Sequence, residues 1–197
     1  MKRVLRISSW ASLPPGAEAD VSFVPPLVRR RLSPLQKLFF SLARSVGAEP
    51  PLPVVFASRD GEDALTRRIV AEFNEAGAVS PNRFSSSVYN AAPGLWSLMT
   101  KNRAPYTAIA AGDDSVECGM LELLFAEAPA AFVYAEETGG GYGVALRVAP
   151  ADTQEGRAVE VADGDPSRPA FGFDALCAFL SGASSSLEGK WLSLGDA

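Results

Sequence analysis

Asp113 and Asp114 stand side by side after Gly112, where a run of small residues at 104–111 gives way to a helix-forming segment. A strand that enters a helix through a tight turn is where acyl-transfer enzymes present a nucleophile. Two adjacent carboxylates are suited to acid–base work. They are equally suited to the positive end of a helix dipole, and Asp114 with Glu117 three residues on has the spacing of a capping box. Neither aspartate has a second catalytic group nearby in the sequence, so capping is the expected role. Cys118 is the nearest thiol. It falls one turn inside the helix, not at the N-terminus where a thiolate is stabilised, and is expected to pack as a small inert hydrophobe. Cys177, close to Leu176 and Phe179, reads the same way.

The sequence contains no histidine. That removes Ser-His-Asp and Cys-His chemistry, and two cysteines alone do not make a zinc site. No metal and no cofactor is expected. The triple glycine at 139–141 is not followed by Lys-Ser or Lys-Thr, so it reads as a hairpin turn and not a phosphate cradle. The run Arg29-Arg30-Arg31 is a solvated charge cluster or a docking point for an acidic partner. A formal charge of −5 argues against nucleic-acid binding. The two cysteines suit reduced thiols in the cytoplasm. The basic start is broken by Arg6, Ser8 and Ser9, which argues against an export signal. No run of about 18 apolar residues predicts a membrane span.

Hydrophobic residues make up 47% of 197, enough for a sizeable core. Residues 3–12 alternate loosely, as a strand does. Ser33-Pro34 caps and opens a helix whose Leu35, Leu38, Phe39, Leu42 and Val46 share a face, ended by Gly47. Residues 53–58 predict a buried strand. Residues 61–76 predict an amphipathic helix with Leu65, Ile69 and Phe73 inward, stopped by Gly77. Residues 80–100 mix turn residues with a helical patch at Leu95, Trp96 and Met99. A strand at 107–111 precedes a helix at 114–126, with Val116, Met120, Leu123 and Leu124 buried. Strands at 131–136 and 144–148 make a hairpin. Residues 159–161 predict an edge strand and 174–180 a short helix, while 150–170 as a whole predict a mobile loop. Strands alternate with helices, then follow one another. This is the pattern of one α/β domain over 1–197, a layered mixed sheet with covering helices.

The segment 80–124 resembles the central part of β-ketoacyl synthases. Ser80-Pro81, Ser87-Val88, Asn90, Gly94 and Pro105 keep the family's frame, with Ala104 in place of the glycine before the proline. The resemblance implies the N-terminal half of a thiolase-like fold. It places the nucleophilic cysteine at Asp113, with Gly112 and Asp114 as neighbours, so no thiol stands there. The family's catalytic histidines have no counterpart either. Within the family the chain is most similar to short chain length factors of bacterial aryl polyene clusters. That similarity implies a non-catalytic subunit, a full-length β-ketoacyl synthase as heterodimeric partner, and an acyl carrier protein delivering substrate, with Arg29, Arg30 and Arg31 as docking candidates. Val88, Tyr89, Leu95, Trp96 and Met99 are candidates for interface or tunnel wall, or are ordinary core. The alternatives are a divergent acyltransferase or thioesterase using Asp113, Asp114 or Cys118, and a module that pairs with itself.

Overall fold

A computed structural model describes residues 3–126, 128–150 and 152–197. Its strands are β1 (Arg3–Leu13), β2 (Val54–Ala57), β3 (Tyr106–Ile109), β4 (Ala130–Glu136), β5 (Tyr142–Ala149), β6 (Arg157–Asp163), β7 (Ser186–Glu188) and β8 (Leu192–Asp196). Its helices are α1 (Pro26–Arg29), α2 (Pro34–Ser45), α3 (Asp63–Ala76), α4 (Pro81–Ser86), α5 (Ala91–Thr100), α6 (Ser115–Leu123) and α7 (Phe173–Leu180). All eight strands join one sheet in the order β3-β2-β4-β5-β1-β6-β8-β7. β2 runs parallel to β3 and β4, and the remaining pairs are antiparallel. This is the layered mixed sheet with covering helices that the sequence predicts.

Burial explains the middle of the sheet. β2 and β4 are buried at every position, so both faces must be covered. One face carries α2 and α5, the other α6 and α7. On the first face α2 is fixed before it packs. The Ser33 hydroxyl accepts from Gln36 N at 3.0 Å, and the Gln36 side chain accepts from Ser33 N at 3.2 Å. This reciprocal cap satisfies two of the helix's orphan donors. Phe39, Phe40 and Trp96 then meet edge to face at centroid distances of 5.2–6.3 Å, a geometry that favours the ring quadrupoles. The Trp96 indole donates to Ala48 O at 2.9 Å, so its one polar atom is satisfied inside the core.

On the opposite face α6 lies close to the sheet. A Cβ on Gly119 would stand 2.9 Å from the Ala57 Cβ, a distance only glycine avoids. Two residues earlier Glu117, fully buried, accepts four backbone N–H groups: Phe171 at 3.0 Å, Lys190 at 3.2 Å, Trp191 at 2.5 Å and Leu192 at 2.8 Å. This replaces the expected capping box. Asp114 makes no side-chain cap bond and instead pairs with Lys190 at 3.2 Å. The carboxylate of Glu117 is drawn away from its own helix because a loop of unpaired amides surrounds it.

Three further expectations change. The strand at 157–163 is not an edge, since β1 and β8 flank it. The stretch 150–170 therefore carries an internal strand, where Val159 and Val161 are buried between neighbours on both sides. Phe73 does not point inward: it is 54% exposed, and Ile69 is the buried residue of α3. Strands β7 and β8 complete the sheet from a serine- and glycine-rich tail.

Glu117→Ala is expected to lower the unfolding free energy by about 3 kcal/mol, because four amides, two of them buried, lose their acceptor. Chemical denaturation measures this. Gly189→Ala should act in the same direction, since its Cβ would stand 2.5 Å from the Glu117 carboxylate.

Candidate functional site

β3 ends at Ile109, and a single 3-10 turn at Gly112–Asp114 leads into α6. Gly112 has φ of 58°, which glycine adopts without strain. The Ser115 hydroxyl holds the turn. It accepts from Ala111 N at 3.0 Å and reaches Gly112 O at 2.7 Å and Ser58 O at 3.0 Å. Asp113, at the tip of the turn, is 81% exposed and forms an ion pair with Arg59 at 2.8 Å. Asp114 faces Lys190, away from Asp113's partner. The two aspartates are thus bound to different cations and do not act as a carboxylate pair.

The neighbouring strand ends are filled by the chain's own side chains. The Tyr89 hydroxyl accepts from Ser58 N at 3.0 Å and donates toward the carbonyls of Ser58 and Ile109. It bridges the ends of β2 and β3. Its ring fits because residue 61 is glycine, whose Cβ would stand 2.7 Å from the ring. Burial pushes the Tyr89 phenol up to about 12, so it stays neutral and its hydroxyl keeps its donor. Glu136, fully buried at the end of β4, accepts from Ser58 Oγ at 2.9 Å, from Arg59 N and from Asp60 N at 3.3 Å. Burial raises its carboxyl above the ordinary range, partly offset by those bonds. The carboxyl ends of parallel strands are where α/β sheets open a ligand crevice. Here Tyr89, Glu136 and Ser115 occupy that place.

Two clefts lie elsewhere, on either side of the start of α2. One, of about 720 Å³, is bounded by residues 17–22, Arg29, Lys37, Glu137 and the glycine turn. The other, of about 690 Å³, is bounded by Arg30, Arg31, Arg68 and Arg83 with Leu65 and Glu137. The arginine run is therefore split between two clefts. Arg29, Arg30 and Arg31 make no ion pair among the described residues. The five apolar candidates separate as well. Trp96 is core, 1% exposed. Tyr89, Leu95 and Met99 pack partly buried against the same cluster. Val88 is exposed, and so is Leu98, at 78%, which the helical pattern did not single out. Ser115, Glu136 and Gln36 also escaped the sequence reading, because isolated serines and carboxylates carry no local signal of burial. Among the described residues no three or more acidic, cysteine or histidine side chains converge on a metal-sized site. The glycine turn 139–141 closes a β4–β5 connection, not a phosphate site: Gly140 O accepts from Gly16 N at 3.0 Å.

Both thiols are held in the protonated form. Burial raises Cys118, and its neighbours Asp114 and Glu117 add to the effect. Burial pushes Cys177 up to about 11. Alkylation of Cys177 at pH 8 is expected to be at least ~10-fold slower than for free cysteine, and that of Cys118 slower as well, because the thiolate is the reactive form and it appears only at higher pH. Mass spectrometry after timed labelling measures this. Asp113→Asn should change stability by less than about 1 kcal/mol, since it removes only an exposed ion pair.

Comparison with known proteins agrees with this geometry. Among curated proteins no sequence matches. The structure is similar to a chain of the complex described as "Ketosynthase (ApeO) in Complex with its Chain Length Factor (ApeC) from Xenorhabdus doucetiae", at TM-score 0.74 and 20% identity, covering 98% of both chains. It is also similar to "The ishigamide ketosynthase/chain length factor", at TM-score 0.59 and 17% identity, covering 83% of this chain and 69% of that one. At these identities the likeness concerns the fold. The model of the family described as Beta-ketoacyl synthase, N-terminal domain, matches residues 7–137, well over half of the chain. The strand, turn and helix that carry Asp113 lie inside that match, and the chain belongs to the β-ketoacyl synthase N-terminal domain family.

Proposed function

We propose that this chain is a non-catalytic ketosynthase-like subunit, a chain length factor that pairs with an active β-ketoacyl synthase and shapes its acyl tunnel. The observation that carries this reading is the nucleophile turn. The fold keeps the strand, the turn and the helix, but Asp113 stands at the tip, bound to Arg59, and no histidine exists in the sequence. A carboxylate held in an exposed ion pair forms no acyl thioester. Tyr89 and Glu136 close the space beside it. A divergent acyltransferase or thioesterase is less well supported, because Asp113 and Asp114 are each held by a cation and both thiols are suppressed.

The surface supports a partner. β3 is an edge strand of the sheet. Pro105 O and Ile109 O bond to β2, so alternation along the strand turns the amides of Tyr106 and Ala108 outward. Residues 106–112 carry neither charge nor proline. Natural edges are protected by such residues, and an unprotected edge is a template for another strand. Leu98 and Tyr106 stand exposed on the same flank, where α5 contacts β3. The edge strand of a ketosynthase is the occupant that fits: apolar, uncharged and extended. The finer reading follows the similarity to aryl polyene chain length factors: a cytoplasmic heterodimer that works on a polyene chain, with an acyl carrier protein docking near Arg29, Arg30 and Arg31. No helix among the described residues is long and apolar enough to cross a membrane.

Co-expression with a full-length β-ketoacyl synthase should give a 1:1 complex on size-exclusion chromatography. Leu98→Glu combined with Ala110→Lys should abolish co-elution while leaving the circular dichroism spectrum unchanged, since both positions are exposed. The chain alone should not turn over acyl-carrier thioesters. A homodimer that ignores the synthase, or turnover by the isolated chain that is lost in Asp113→Asn, would count against the proposal.

A further inference from the structure

α3 and α4 form an arm that is thinly attached to the rest of the molecule. Of the 14 residues of α3 only Ile69 is buried, and its main helical neighbour is α4. α4 buries none of its residues. Glu72 of α3 holds the two helices together through Arg83 of α4, and it also pairs with Arg68 on its own helix. The arm forms one wall of the arginine-lined cleft, and the start of α2 forms the other. Its connection to β2 passes through Gly61, whose φ of 58° suits a pivot that a side chain would obstruct.

What joins the two walls is Glu62. It precedes α3 yet makes no cap bond to that helix. Its side chain crosses instead to α2, where Oε1 accepts from Ser33 Oγ at 2.8 Å and from Gln36 Nε2 at 2.9 Å. Gln36 Nε2 also reaches Ser86 O, at the end of α4, at 3.3 Å. The carboxyl is 3% exposed, and Oε2 has no hydrogen-bond partner. A buried carboxylate with one empty oxygen is costly, whereas the neutral acid is tolerated there. The charged groups around it are Glu137 beyond the end of β4, Asp63 at its side, and Arg30, Arg31, Arg68 and Arg83 along the cleft. Glu137 is a second, weaker tie, accepting from Ala64 N at 3.1 Å.

We propose that Glu62 is a proton-operated latch: neutral, it clamps the α3–α4 arm onto the cap of α2 and closes the arginine-lined cleft; ionised, it releases the arm. This inference goes beyond the subunit reading and does not depend on it. Burial pushes the Glu62 carboxyl from 4.5 up to about 7, against the bonds from Ser33 and Gln36 that lower it. In an open arm the side chain is solvated and returns toward its ordinary value. The closed form therefore binds the proton more tightly. Closure is strongest below about pH 4.5, weakens as pH rises, and is weakest above about pH 7. Arginine does not titrate in this range, so the cleft gains accessible positive charge as it opens.

Hydrogen exchange of the intact chain, corrected for intrinsic rates, tests this. The opening constant for amides in 63–87 should rise roughly 20-fold between pH 5.5 and 7.5, as two-state linkage requires for that shift. Glu62→Gln, which mimics the neutral acid, should remove this dependence and keep the arm protected at both pH values. Glu137→Gln should leave the dependence in place. Should Glu62→Gln fail to fold, carbon-13 NMR of the wild-type glutamate carboxyls replaces it, with a Glu62 midpoint near 7 expected. Equal protection at the two pH values, a dependence that survives Glu62→Gln or vanishes in Glu137→Gln, or a Glu62 midpoint below about 5.5 would overturn the latch.

Discussion

A single buried carboxylate, that of Glu117, ties the two ends of this fold to each other. It sits on the helix that follows the nucleophile turn, and its four amide partners belong to the C-terminal segment. A carboxylate deep in a protein is stable only when its lone pairs are met by donors. Glu117 meets that condition by drawing the loop from Gly189 to Leu192 around itself. The loop in turn starts β8, which pairs with β6 and through it with β1. One interaction therefore positions α6 against the sheet and closes the far side of the sheet at once. Gly119 and Gly189 are the steric counterparts of that interaction, the first letting the helix approach β2 and the second letting the loop approach the carboxylate.

The geometry around Asp113 follows from the same economy of polar groups. In an enzyme, the ends of parallel strands leave donors and acceptors free for a substrate. Here each such group already has a protein partner: Ser58 with Tyr89, Glu136 and Ser115, and Ile109 O with Tyr89. The turn at Gly112–Asp114 is thereby held as a rigid corner, fixed to the strand ends by the Ser115 hydroxyl.

Much of the architecture was legible in the sequence. Ser33-Pro34, the helical spacing from Leu35 to Val46, the glycines that end α2 and α3, and the hairpin around 139–141 are local signals, and each produced its element. The C-terminal strands were legible only in part. Residues 159–161 marked β6, though as an edge, while β7 and β8 are short and only their sheet neighbours make them strands. The direction of Glu117 was misread for the same reason: the spacing from Asp114 fits a capping box, but four amides distant in sequence compete for the carboxylate and win. Phe73 was read inward by periodicity, whereas α3 has little beneath it to bury a phenyl ring. At the site the strand-to-helix turn with Asp113 at its tip was legible. The residues that hold it, Ser115 and Glu136, were not, because a lone serine or glutamate does not announce its burial.

The β3 edge carries a consequence for how the chain must be made. A sheet edge of four uncharged residues, continued by an uncharged turn, offers its outward amides to whichever extended segment arrives first. In the proposed pairing, synthesis of the two members has to keep step, because a surplus copy meets others like itself before it meets a synthase. Gene dosage is then a structural variable of that pairing.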